Sequence, residues 1–332
     1  MEAYLPEIFL GLVGLAVFVY AVLDGFDLGV GILLPMHTDD LAHRDQFIAS
    51  IGPFWDANET WLVLAVGLLF IAFPEAHNTV LRELYLVATL MLIGIIMRGV
   101  AFDFRAKAIT THRLAWDRVF KIGSIITALT QGYMLGRYVL GFADGLAAQL
   151  FSILSAFCVM GAYTFIGGAW LVMKTEGDIQ KRSAVITRKA AWATAIGVAA
   201  VSIVNPLISA EVAERWVSFP AVILLLPIPL LVTAVFVVVD RYLVGMPHHK
   251  DFGCWIPFVG AAMIFLMAFC GLAYSYFPYI IPGQLTAAEA ASAPESLMFI
   301  LVGALVVVPV ILLYTFFSYR VFWGKVGELK YY

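Results

Sequence analysis

The chain has 332 residues, of which 62% are hydrophobic and only 13% charged, with a mean hydropathy of +0.94 and a formal net charge of -3. A water-soluble domain of this length cannot hide that much apolar surface, so an ordinary soluble globule is excluded. The near-neutral charge and the lack of a basic stripe also argue against a nucleic-acid binder.

Apolar stretches fill almost the whole chain. Each approaches or exceeds the ~20 residues that a helix needs to cross roughly 30 Å of hydrocarbon. In chain order they predict nine spans, at 6–35, 52–74, 79–102, 119–141, 147–173, 189–208, 219–241, 254–277 and 296–322. Bare backbone groups are not tolerated in lipid, so the spans are expected to be helices. The continuous apolar runs at 222–226 and 306–308 lack the alternation of a transmembrane barrel. The first stretch has no basic leader and no A-x-A site, and it runs through two acids, so we expect it to be retained rather than cleaved. Asn205-Pro206 in the sixth span and Pro227 and Pro229 in the seventh predict kinks.

Orientation follows from the loops. With the N-terminus outside, the connections 36–51, 103–118, 174–188 and 242–253 and the C-terminus face the cytoplasm. The outer side then keeps only Arg82, Arg137 and Arg215 of the 20 Lys and Arg, which is the bias of the positive-inside rule. An even number of spans would put the loops out of phase with that pattern. The longest outer loop, 278–295, reads as a capped surface loop. No internal repeat is visible, so the chain reads as one polytopic membrane domain over 1–332, with N-terminal helices within 6–141 and C-terminal helices within 147–322.

Ionisable residues inside spans are costly, about 2.5–3.5 kcal/mol each on insertion scales, and need a reason. The first span carries Asp24 and Asp27, three apart and so on one face. Ala21, Gly25 and Gly29 form a small-residue row that lets another helix approach closely. The second span opens with Asp56 and Glu59, again three apart. The third ends on Arg98, Asp103 and Arg105. All seven charged groups fall at the same, cytoplasmic depth. Each has a structural reading: Asp56 and Glu59 as first-turn acids favoured by the helix dipole, Asp24 and Asp27 as ion-pair partners of Arg98. The functional reading is a carboxylate path for protons, and the two are compatible.

The six histidines (His37, His43, His77, His112, His248 and His249) fall in loops or at span ends. Haem usually takes at least one His ligand, so we expect no haem bound by this chain alone, and the span methionines read as packing. Cys158, Cys254 and Cys270 form no C-x-x-C pair and also read as packing. No phosphate loop or dinucleotide fingerprint is present, and Gly167-Gly168 reads as a helix contact.

Three segments carry a resemblance. They are Asp24-Gly25-Phe26-Asp27-Leu28-Gly29-Val30-Gly31, Trp55-Asp56-Ala57-Asn58-Glu59-Thr60-Trp61-Leu62 and Arg98-Gly99-Val100-Ala101-Phe102-Asp103-Phe104-Arg105, with a softer match at 161–170. With them the chain resembles subunit II of the cytochrome bd quinol oxidases over nearly its full length, and is similar to the cyanide-insensitive branch. Ala57 stands where several members have Gly, and Glu59 where one branch has Gln.

The resemblance implies an all-α integral membrane fold of about nine transmembrane helices, as two four-helix bundles plus a peripheral helix. It implies a haem-free subunit of a quinol:dioxygen oxidoreductase in the bacterial plasma membrane. A homologous subunit I would carry haems b and d, or b in place of d, and a small single-span subunit and a structural quinone occur in some relatives. The proton route would run through Asp56, Glu59, Asp24 and Asp27, with Trp61 beside an oxygen path and Arg98, Arg105 and Asp103 as structural counter-ions. The rival reading is a proton-coupled secondary transporter, which would place its acids near the midplane on interrupted helices. A scaffold in which every charge is structural is the remaining reading of the acid cluster.

Overall fold

The computed structural model describes residues 4–37, 40–208, 210–219, 221–248 and 251–326. It is a bundle of long helices: α1 (Leu5–Leu33), α3 (Trp55–Ala72), α4 (Pro74–Lys107), α5 (Thr110–Val139), α6 (Leu146–Lys174), α7 (Gly177–Ile208), α10 (Pro227–Val244), α11 (Ile256–Tyr276) and α13 (Pro294–Val321). Shorter pieces join them: α2 (Leu41–Ile51), α8 (Ala210–Val217), α9 (Ala221–Leu225), the strands β1 (Tyr279–Ile281) and β2 (Leu285–Thr286), and α12 (Ala287–Ala290). Helices α1, α4, α10, α11 and α13 each open with Pro in the first turn, where its missing N–H costs nothing and its fixed φ favours the helix. Pro35 ends α1 by forcing Leu34 out of the helical region, to ψ 123°.

Among the described residues, eight helices are long and apolar enough to cross a membrane. The expected fourth span falls on α5, which is not among those eight. It still runs from one end of the bundle to the other. Lys121 in its first half donates to the Leu34 carbonyl, just past the end of α1, at 2.9 Å, and Tyr138 near its finish donates to the Ile280 carbonyl at 2.6 Å. Its buried Ser124, Thr127 and Thr130 spend their hydroxyls on carbonyls of their own helix, and its sides pack on α4, α6 and α1. Hydropathy alone therefore does not carry a count of nine.

Other boundaries moved for identifiable reasons. The connection expected at 36–51 contains α2, whose Phe47, Ile48 and Ile51 are buried. Lys181, Arg182 and Arg188, expected in the loop 174–188, form the opening turns of α7, which starts at Gly177 with φ +63°. The seventh span, expected at 219–241, is broken before Pro227 into α9 and α10. The loop 278–295, expected on the outer side, is a short antiparallel hairpin followed by α12, with Thr286 and Glu289 as a capping box. The Thr286 backbone N–H and hydroxyl hold the Glu289 carboxyl below its ordinary range. Ile280, Ile281, Ala287 and Ala290 of this loop are buried against Leu5, Phe9 and Phe73. Ser292 donates to the carbonyls of Ala72 and Ile71, so the loop closes that end of the bundle.

The tightest helix crossing is α1 on α6. A Cβ at Gly29 would overlap the Tyr163 carbonyl, a Cβ at Gly167 would come within 2.5 Å of Gly29, and the Tyr163 ring lies over Gly25. Small residues allow this approach where no hydrophobic force drives helices together in lipid. Gly168 makes the equivalent contact with Thr187 of α7. We expect Gly29→Ala to destabilise the purified protein by roughly 1–3 kcal/mol, as overpacking against backbone does. Gly11→Ala, with no atom within 4 Å of its added methyl, should change the melting temperature little.

Candidate functional site

Asp24 and Arg98 each lie nine residues before the end of their helix, about 14 Å inside it at 1.5 Å per residue. That matched depth lets the Arg98 guanidinium of α4 reach α1 and α3 together. Its Nη1 donates to Asp24 Oδ1 at 3.0 Å and to Glu59 Oε1 at 3.3 Å. Asp24 and Arg98 are fully buried, whereas the Glu59 side chain is 22% exposed. One turn further on α1, Asp27 accepts from Asn58 Nδ2 at 2.7 Å. Asn58 also donates to the Leu23 carbonyl and accepts from the Tyr319 hydroxyl of α13 at 3.1 Å. Asp56, one turn before Glu59 on α3, is exposed.

The four acids thus run from surface to interior: Asp56 exposed, Glu59 half-buried, Asp24 and Asp27 buried. Asp24 Oδ2, Asp27 Oδ1, and Arg98 Nε and Nη2 are buried without a hydrogen-bond partner among the described residues. One guanidinium faces a group of three carboxyls, so the group carries surplus acid. Breaking a buried ion pair from one side costs about 3–5 kcal/mol, which makes Arg98 the group that holds α1, α3 and α4 in register.

A polar string continues from this group into the bundle. Tyr20 lies one turn before Asp24 on the same face of α1. Its hydroxyl accepts from Gln131 Nε2 of α5 at 2.6 Å, and Gln131 Oε1 accepts from the Tyr163 hydroxyl of α6 at 2.8 Å.

The second charge group was not legible as a unit. Arg105 donates to Asp117 Oδ1 of α5 at 2.5 Å and to Asp45 Oδ1 of α2 at 2.6 Å. Arg44 Nε lies 2.9 Å from Asp117 Oδ2, and Asp117 is fully buried. Arg98 and Arg105 are seven apart, two turns of one α4 face, and that spacing was the available signal. Asp103, expected as a counter-ion, is exposed and makes no ion pair among the described residues. Five positions from Arg98 and two from Arg105, it points away from both. Asn58, Asp117, Arg44, Asp45 and Tyr319 are the partners that motif spacing did not single out.

Trp61 is buried between α1 and α3 with Ala16, Tyr20 and Ala65. Its Nε1 has no partner among the described residues. The described histidines lie at helix ends or in connections, for example His77 against the Phe70 ring at 4.9 Å and His43 beside Asp40 at 3.1 Å. His249 lies outside the described residues. Among the described residues no group of three or more His, Cys, Asp or Glu is arranged to hold a metal ion.

Residues 5–322 match the family described as cytochrome bd terminal oxidase subunit II. The chain is 29% identical to the cytochrome bd-I ubiquinol oxidase subunit 2 of Escherichia coli (strain K12), over 96% of this chain and 94% of that protein. It is 27% identical to the cytochrome bd ubiquinol oxidase subunit 2 of Bacillus subtilis (strain 168), over 92% of each. Its backbone superposes on a chain of the bd oxidase from Geobacillus thermodenitrificans with a TM-score of 0.78, over 96% of this chain and 98% of that one. At 16% identity, that likeness carries the fold alone. With a match across almost all of its length, this membrane-embedded chain belongs to the family of cytochrome bd terminal oxidase subunit II.

Proposed function

We propose that this chain is the haem-free second subunit of a quinol:dioxygen oxidoreductase, and that its acid group forms part of the cytoplasmic uptake route for the protons consumed when oxygen becomes water. The observation that carries the reading is the graded burial of Asp56, Glu59 and the Asp24–Asp27 pair around one buried guanidinium. In this reading Asp56 receives protons at the surface and Glu59 passes them inward beside Arg98. The surplus carboxyl of the buried pair holds the proton. Arg98 keeps the remaining charge in place, and Asn58 and Tyr319 orient Asp27. Arg105 is the structural cation of the Asp117–Asp45 group, and Gly25 and Gly29 seat α1 on α6. Trp61, buried at the α1–α3 contact, borders a path for oxygen.

The partner is a homologous subunit I carrying haems b and d, or b in place of d, which supply electron transfer and oxygen reduction when bound. Histidines confined to helix ends support placing those groups outside this chain. The complex takes electrons from quinol in a bacterial plasma membrane, with a structural quinone, lipid and a small single-span subunit as further associates. One polytopic domain with the N-terminus outside and the C-terminus in the cytoplasm fits the distribution of Lys and Arg.

Two experiments test this. Loss of a positioned proton donor costs about 10²-fold or more. Glu59→Gln, which keeps the shape and an acceptor for Arg98, is therefore expected to lower oxygen-consuming turnover of the purified complex by about that factor at unchanged haem content. Asp56→Asn should slow turnover less, with added small weak acids restoring it, and Asp103→Asn should leave it unchanged. Full turnover in both Glu59→Gln and Asp56→Asn would assign the acids to structure alone. Separately, reporter fusions at the loops 174–177 and 277–285 are expected to be cytoplasmic and external, respectively; the reverse result would invert the route.

A further inference from the structure

The opening turns of α7 carry charges that the acid group does not use. Lys181, Arg188 and Lys189 share one outward face with Trp192, and together with α10 they border an open groove of about 480 Å³. Its floor is apolar, made in part by the buried Ala184 and Leu243. Asp240 of α10 accepts from Arg188 Nε at 2.7 Å and from Trp192 Nε1 at 2.9 Å, which holds both of these lining side chains in place. Lys181 lies 3.6 Å from Asp178, with both side chains more than half exposed, so that pair neutralises little. Lys189 makes no ion pair among the described residues. The groove therefore keeps a positive rim over an apolar floor, between two membrane helices and beside the exposed Trp192.

We propose that this groove binds the headgroup of one anionic phospholipid, with its phosphate between Lys181 and Lys189 and an acyl chain along the α7–α10 floor. Charge complementarity selects the occupant. A zwitterionic headgroup brings no net negative charge to the two cations, and a free phosphate leaves the apolar floor in water. Basic pockets between membrane helices on the cytoplasmic side take anionic headgroups in this way.

The test is native mass spectrometry of the purified complex, titrated in detergent with an equal mixture of phosphatidylglycerol and phosphatidylcholine. The expected result is one phosphatidylglycerol adduct that saturates ahead of any phosphatidylcholine adduct. Lys181→Gln and Lys189→Gln should each weaken it by about fivefold. Lys181→Arg and Lys189→Arg should retain it, and Lys107→Gln, on another helix end, should leave it unchanged. Equal occupancy by the two lipids overturns the proposal, as does an adduct indifferent to Lys181→Gln and Lys189→Gln. Loss in the Arg variants assigns the lysines to folding and overturns it too. Displacement by millimolar inorganic phosphate makes this a bare anion site and also overturns it.

Discussion

The structure turns on one guanidinium in a place where water does not reach. Arg98 is fully buried and its Nη1 faces carboxylates from two other helices, Asp24 at 3.0 Å and Glu59 at 3.3 Å. An isolated charge at this depth would be expelled or neutralised; a charge with partners from α1 and α3 becomes a joint that fixes three helices at one height. Seven residues along α4, Arg105 repeats the device with α2 and α5 through Asp45 and Asp117. Two cations on one helix face thus align the first five helices, and they do so with groups that also gather acids at a common depth.

Close backbone contact does the rest. In lipid the helices gain nothing by hiding apolar side chains from one another, so they associate where small residues let main chains touch. Gly29 against Gly167 brings α1 onto α6, and Gly132 and Gly136 bring α5 against Ala156, Ser152 and Ser155 of α6. These contacts run the length of the polar string from Asp24 through Tyr20 and Gln131 to Tyr163. Aromatic packing closes the far side. Phe26 stacks on Trp170 and Phe54 on Tyr319, while Phe54 meets Trp170 edge to face, and Tyr319 ties α13 to the acid group through Asn58. The last helix is therefore coupled to α3, and through Asn58 to α1, by a hydrogen bond across 261 positions of sequence.

Much of this was legible in the residues. Apolar length gave the helices and the bundle, because the hydrocarbon thickness sets a minimum run that few soluble segments reach. Asp24, Asp27, Glu59 and Arg98 stood out because charge inside such runs is costly. What escaped were features whose cause is another part of the chain. The helix α5 crosses the bundle although it is the most polar of the long helices, because α4, α6 and α1 shelter its hydroxyls. Asp103 was expected among the structural counter-ions, yet residues two apart on a helix point nearly opposite ways, so it does not pair with Arg105. The true partners come from α2 and α5.

The sequence by itself determined the solvent, the helical class and the family to which the chain belongs. These follow from local cost, since each residue's transfer free energy and each short motif can be read without its neighbours in space. The tertiary structure alone decided which carboxyl faces which cation, how far each is from the surface, and that Asn58 and Tyr319 complete the arrangement. Such pairings depend on distance between helices, and that distance is set by glycine contacts and aromatic stacking spread over the whole chain.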